Sequence, residues 1–134
     1  MHEAPRLLIV DDSAILLERL VSLAREHLPA ARISTAQSGS EAVDLFDQTK
    51  PALVVLDIGL PGLSGLEVLQ HIRFRSAATE VLVFTNSGSI EMETQCRALG
   101  ATHFLDKAHD ITLLVDLLRK LGSTSPAAIP AASL

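Results

Sequence analysis

The chain has 134 residues, is 48% hydrophobic and carries a net charge of −5, a size that fits one domain with a sizeable core. Its acidic balance, with Lys and Arg scattered and never in runs, argues against a nucleic-acid surface. Apolar runs such as Leu7–Val10 and Leu53–Leu56 are strand-sized and too short to span a membrane, and the N-terminal MHEAPRLLIVDD lacks the build of a signal peptide.

Four Phe with no Trp or Tyr leave the core to aliphatic side chains, and the single Cys96 can form neither an internal disulfide nor a zinc site. These features point to a cytoplasmic protein. In chain order, Leu7–Val10 reads as a fully buried strand. Ser13–Leu28 follows as a helix, with Leu16, Leu20, Leu23 and Leu28 near helical spacing and Pro29 to stop it. Arg32–Ala36 is a weaker strand. Ser38 and Glu41 stand at capping-box spacing and open a second helix. Leu53–Leu56 is again a buried strand, and Ser64–Arg75 a helix with Leu66, Leu69 and Ile72 on one side. Val81–Phe84 is the fourth strand, and Ile90–Leu99 a helix ended by Gly100. Thr102–Leu105 is a weaker strand. Asp110–Leu121 closes the series, capped by Asp110, striped by Leu113, Leu114, Leu117, Leu118 and Leu121, and stopped by Gly122.

Strands and helices alternate throughout, which is the signature of an α/β domain whose parallel sheet is covered on both faces. Residues 1–122 are expected to form that domain. Residues 123–134, rich in Ser, Ala and Pro, are expected to be a disordered tail.

Polar residues gather at the strand ends. Asp11 and Asp12 follow the first strand and Asp57 the third, while Thr85 closes the fourth and Lys107 the fifth. In an open parallel sheet, ligands bind beyond the carboxyl ends of the strands, where the strand order reverses. Carboxylates crowded there repel and raise one another's pKa. A divalent cation relieves the repulsion, and all-oxygen ligation suits Mg²⁺. An aspartyl phosphate needs a nucleophilic carboxylate, a metal on the transferring oxygens, and a cation and donor for the rest. Asp57, Mg²⁺, Lys107 and Thr85 supply these parts in turn. Taken singly each is unremarkable, since Asp12 can cap the helix after it and a loop Lys or Thr means little. Their weight lies in occupying one sheet end together. The histidines add no metal site, because nothing in the spacing of His103 and His109 brings a third ligand, and His71 is expected to be solvated.

With these residues in hand, the chain from Arg6 to Leu121 resembles a bacterial response-regulator receiver domain. LLIVDDSAILLERL is similar to the family's opening strand and acidic pair, and AQSGSEAVDLF to the start of its second helix. In PALVVLDIGLPGLSGLEVLQHIR, Asp57 is followed by Leu60-Pro61 and Gly65 as in the family's phosphoacceptor segment; VLVFTNSG and GATHFLDK match its last two functional strand ends. The resemblance implies a flavodoxin-like, doubly wound sheet of five parallel strands in the order 2-1-3-4-5 with five helices. That order comes with the resemblance and not from the alternation of elements.

The resemblance also implies roles. Asp57 would accept the phosphoryl group. Asp12 and Asp57 would ligate Mg²⁺, with Asp11 near or acting through water and Gly59 offering its backbone carbonyl. Lys107 would pair with the phosphoryl oxygens, and Thr85 would bond the phosphate once formed. Phe104 would swing inward as Thr85 moves; its alternative is an ordinary core residue. Two positions depart from the family. Ala108 stands where proline usually follows the lysine, so a trans bond is expected and the loop could be rerouted. Asn86 is larger and more polar than the residue common beside Thr85, and is expected to narrow solvent access to the acyl phosphate and change its lifetime.

The function so implied is a stand-alone response regulator, not an enzyme acting on other substrates. A histidine kinase or histidine phosphotransfer protein would phosphorylate it, and the helix 4–strand 5–helix 5 face would signal to a downstream protein target. It would have no direct nucleic-acid or membrane role. A phosphorylation-dependent homodimer through the same face stays open. The nearest alternative is a degenerate, phosphorylation-independent receiver serving as an interaction module. A haloacid-dehalogenase-type phosphatase would need a second acid where Gly59 stands, and a dinucleotide or flavin module would need a Gly-rich loop where the chain has VDDSAI.

Overall fold

The computed structural model describes residues 4–86 and 88–123. Strands β1 (Arg6–Val10), β2 (Arg32–Ala36), β3 (Leu53–Leu56), β4 (Glu80–Thr85) and β5 (His103–Asp106) alternate with helices α1 (Ala14–His27), α2 (Gly39–Thr49), α3 (Gly65–Arg75), α4 (Ile90–Ala98) and α5 (Ile111–Ser123). All neighbouring strands pair in parallel, in the order β2-β1-β3-β4-β5. The predicted tail lies outside the described residues, apart from Ser123 at the end of α5. No helix among the described residues is long and apolar enough to cross a membrane.

The apolar strand runs follow from burial on both faces. Leu8, Val10, Val54, Leu56, Val81 and Val83 face one layer, where they meet Phe46 of α2, Val68 and Ile72 of α3 and Cys96 of α4. Their strand neighbours Leu7, Ile9, Val55, Leu82 and Phe84 face the other, against α1 and α5. Side chains that alternate along each strand thus build two cores from one sheet.

Several local expectations change. In α1 the buried stripe is Leu17, Leu20 and Ala24, with Leu16 and Leu23 at its margins, because the helix is rotated toward α5. In α5, Leu114 and Leu118 are buried whereas Leu113 is half-exposed. Gly122 does not stop α5. It is an exposed residue within the helix, beside the end of the Leu28 side chain. The capping box also moves. Glu41 reaches past Ser38 to the Gln37 N–H (2.8 Å), whereas Ser64 and Glu67 form the reciprocal pair at the start of α3. His71 is half-buried, its Nε2 2.9 Å from Asp47 Oδ1 and its ring edge-on to Phe46, so it is partly solvated and also partnered.

Gly100 ends α4 as expected, with φ +104°. Gly100 and Ala101 N–H groups donate to the Arg97 and Cys96 carbonyls, closing the helix in a Schellman pattern. The Arg73 stem lies against Gly100, and its guanidinium donates to the Gly100 and Ser76 carbonyls and to Thr102 Oγ1. Thr102 lies just outside β5, and its hydroxyl accepts the Val81 N–H (3.0 Å), replacing a ladder bond.

Gly65 sets how closely α3 approaches the sheet end. A Cβ there would lie 2.5 Å from Ile58 Cα and 2.6 Å from Asp57 O, both backbone atoms that cannot yield cheaply. Gly65→Ala is expected to lose roughly 1–3 kcal/mol of stability. Urea unfolding should show a lower midpoint with an unchanged slope.

Candidate functional site

The carboxyl end of the sheet collects the charged residues through backbone pairing. β1 and β3 are neighbours, and the Asp57 N–H donates to the Val10 carbonyl (3.0 Å), so the residue after β3 sits beside the residue after β1. The Asp11 N–H donates to the Ala36 carbonyl (3.0 Å), which ties the same point to β2. The chain leaves β1 toward β2 and returns on the other side to β3, so this is where the strand order reverses.

Asp11 and Asp57 are buried and Asp12 is exposed, yet one carboxylate oxygen from each lies within 4.8 Å of the others. Two local bonds orient them. Asp11 Oδ1 accepts the Ser13 N–H (2.9 Å), and Asp57 Oδ1 accepts the Gly59 N–H (3.1 Å). The Lys107 ammonium bridges the buried pair, 2.5 Å from Asp11 Oδ2 and 3.0 Å from Asp57 Oδ2. Its backbone N–H donates to the Thr85 carbonyl (3.1 Å), so β4 positions the lysine loop. Thr85 is fully buried at the end of β4.

Burial raises the Asp11 carboxyl above its usual range, against the opposing hydrogen bond from Lys107. Burial alone would lower the Lys107 ammonium, but its bonds to Asp11 and Asp57 outweigh that and hold it above its ordinary value. A hard divalent cation fits the donor set: three carboxylates converge at one sheet end, all oxygen, one open to solvent. Asp11, Asp12 and Asp57 are the residues that could hold it.

The remaining predicted positions surround this cluster. Gly59 is exposed beside Asp57 and Asn86 is exposed beside Thr85. Phe104 is half-buried on β5, at the margin of the core under α4; a Cβ on Gly88 would come within 3.2 Å of its ring. No cis peptide occurs among the described residues, so the Lys107–Ala108 bond is trans as expected. Sequence reasoning missed Asp106 and took Asp110 only as a helix cap; their carboxylates accept the Ala108 and Asp106 N–H groups around Lys107. The available signal was an aspartate two residues before a backbone donor, the pattern of an Asx turn.

The Asp11 shift fixes a sign. Below pH 3.8 the carboxyl is protonated in folded and unfolded chains alike. As pH rises through the window above 3.8, the unfolded chain ionises first, and stability falls until the folded carboxyl has ionised too. Metal-free Asp11→Asn protein lacks that fall, so it should be the more stable form near neutral pH and converge with wild type in acid. Lys107 has the opposite limit: its contribution is complete below 10.5 and is lost as pH rises through the folded value. Urea titrations of both proteins across pH check these signs.

Comparison with known proteins agrees with this geometry. The family described as the response regulator receiver domain matches residues 7–119. The transcriptional activator protein ExaE of Pseudomonas putida is 31% identical over 86% of this chain and 54% of its own length. The chemotaxis protein CheY of Listeria monocytogenes is 29% identical over 86% of this chain and 96% of its own. Several of the curated relatives are longer, and the chain spans 32% to 54% of the length of five named as transcriptional regulators or activators. The receiver domain of a DNA-binding response regulator from Colwellia psychrerythraea superposes with a TM-score of 0.83 at 26% identity, covering 89% of this chain and 98% of that one. With its sheet order, its acidic cluster and a match over most of its length, the chain belongs to the response regulator receiver domain family.

Proposed function

We propose that Asp57 accepts a phosphoryl group from a phosphohistidine on a histidine kinase or histidine phosphotransfer protein, and that a protein partner reads the resulting change of shape. The observation that carries this reading is the convergence of Asp11, Asp12 and Asp57 around one point, with the Lys107 ammonium already on Asp57. An Asp57 carboxylate oxygen attacks phosphorus as the donor's P–N bond breaks, and the departing imidazole keeps the bonding electrons and takes up a proton. Asp12 and Asp57, with Asp11 close by and the Gly59 carbonyl, would hold Mg²⁺, which when bound would supply positive charge to the transferring oxygens.

The chain's own residues do the rest. Lys107 shifts from a bridge between two carboxylates to a partner of the phosphoryl oxygens, staying charged because its ammonium is held above its ordinary pKa. The product carries about −1.5 to −2 charges and three acceptor oxygens. The Thr85 hydroxyl bonds one of them, β4's end moves inward, and Phe104 follows into the space beside it, biasing the α4–β5–α5 face. The protein assists its own phosphorylation and dephosphorylation and acts on no other substrate. We assign it to the cytoplasm, in keeping with the buried free thiol of Cys96.

Incubation with acetyl phosphate and Mg²⁺ should add one phosphoryl mass to wild type and none to Asp57→Asn, and chelation should abolish uptake. Uptake that survives in Asp57→Asn would move the acceptor elsewhere. Lys107→Ala should slow uptake by roughly 10²-fold, the effect of removing one preorganised charge-stabilising donor. Asn86→Ala should open the path of water to the acyl phosphate and speed its hydrolysis, measured as loss of label; an unchanged rate removes that role for Asn86.

A further inference from the structure

We infer that Asp106 and Asp110 are positioning residues: their carboxylates build the turn that carries Lys107, and the construction uses a backbone N–H at position 108, which Ala108 supplies. The inference rests on the phosphotransfer reading above for its functional consequence, and on backbone geometry for its cause.

Lys107 is the first residue beyond β5. Such a residue is placed by its backbone, since the long lysine stem reaches the Asp11 and Asp57 carboxylates only if the turn points it there. One anchor is the bond from the Lys107 N–H to the Thr85 carbonyl (3.1 Å). The others are made by two aspartates. Asp106 Oδ1 accepts the Ala108 N–H at 2.6 Å, an Asx turn that encloses Lys107. Asp110 Oδ2 reaches back to the Asp106 N–H at 2.8 Å, while the Asp106 carbonyl accepts the N–H groups of Asp110 (2.9 Å) and His109 (3.3 Å). Asp106 and Asp110 therefore bond each other in both directions across Lys107, and the start of α5 is fixed to the end of β5.

The Ala108 N–H is needed as a donor. Proline at 108 would remove it. In this chain the alanine is thus part of the support for Lys107 and not a loosened version of it. Both aspartates are half-buried, and their carboxylates accept backbone N–H groups of the turn. They act through the turn. Among the described residues, His109 Nδ1 lies near as well, 3.6 Å from Asp106 Oδ1.

The geometry calls for an acceptor, not a charge, so amide and alanine substitutions should part company. Asp106→Ala should lose the Ala108 bond and slow phosphoryl uptake from acetyl phosphate by roughly tenfold or more, the scale of a misplaced catalytic group. The half-saturating acetyl phosphate concentration should hold. Asp106→Asn, whose side-chain carbonyl can make the same turn, should recover most of the rate. Asp110→Ala and Asp110→Asn should divide in the same way, and Ala108→Pro should slow uptake. Backbone amide shifts of Lys107 and Ala108, recorded without phosphodonor, should move in the alanine and proline variants and stay in the amide variants. Normal uptake in Asp106→Ala despite a moved Ala108 amide would overturn the inference, as would Asp106→Asn proving as slow as Asp106→Ala. If wild type takes up no phosphoryl group, the phosphotransfer reading fails separately, and unmoved Lys107 amide shifts in Asp106→Ala would overturn the positioning claim on their own.

Discussion

Two buried carboxylates facing one ammonium are the interaction on which the rest of this structure turns. Asp11 and Asp57 are brought side by side by β1–β3 pairing, and neither can leave without breaking a backbone bond at its strand end. In a site shielded from water their repulsion is stronger than at a surface, and Lys107 is the group that offsets it. What Lys107 does not offset is burial itself, which holds the Asp11 carboxyl above its ordinary range. A fold that keeps an acid above its ordinary pKa gives up stability to hold negative charge where a cation or a transferring phosphoryl group can use it.

The two-layer core makes that arrangement durable. Strand side chains alternate between a face covered by α2, α3 and α4 and one covered by α1 and α5, so the sheet cannot slip by one residue without exchanging both cores. Register in turn fixes which residue emerges at each strand end. Glycine then sets the distances, because α3 rests directly on the backbone around Asp57 only where Gly65 carries no Cβ.

Much of this was legible in the sequence, and the pattern of what was not is instructive. Leu7–Val10 and Leu53–Leu56 announce themselves because a strand buried on both faces is apolar at every position, and the aspartates that end such runs mark the sheet's functional edge. Strand order is a long-range property and came only with the family resemblance. Helix faces were read less well. Leu16 and Leu23 have the same spacing logic as Leu17 and Ala24, and only the docking of α1 against α5 selects the second pair. Ser38–Glu41 and Ser64–Glu67 have identical spacing, but Glu41 accepts the Gln37 N–H where Glu67 accepts that of Ser64. Gly122 has the composition of a helix stop but lies inside α5, beside the end of the Leu28 side chain. His71 gave no sign of Asp47, twenty-four residues away in sequence.

The same distinction governs the loop after β5. Judged against the family pattern, Ala108 is a missing proline, which suggests a looser lysine. Judged by its bonds, it is the donor in an Asx turn whose acceptor, Asp106, is itself held by Asp110. A rigid ring and a satisfied donor are two ways to remove the same freedom: one restricts φ in advance, the other makes departure from one geometry cost a hydrogen bond. The second way couples the lysine to the start of α5, since breaking the Asp106–Asp110 exchange would free both. Lys107 is thereby linked by backbone to Thr85 on one side and to α5 on the other. A movement of Lys107 toward a phosphoryl oxygen would then pull on the two elements that flank it, and α5 would sense the charge at Asp57 through two aspartates that never touch it.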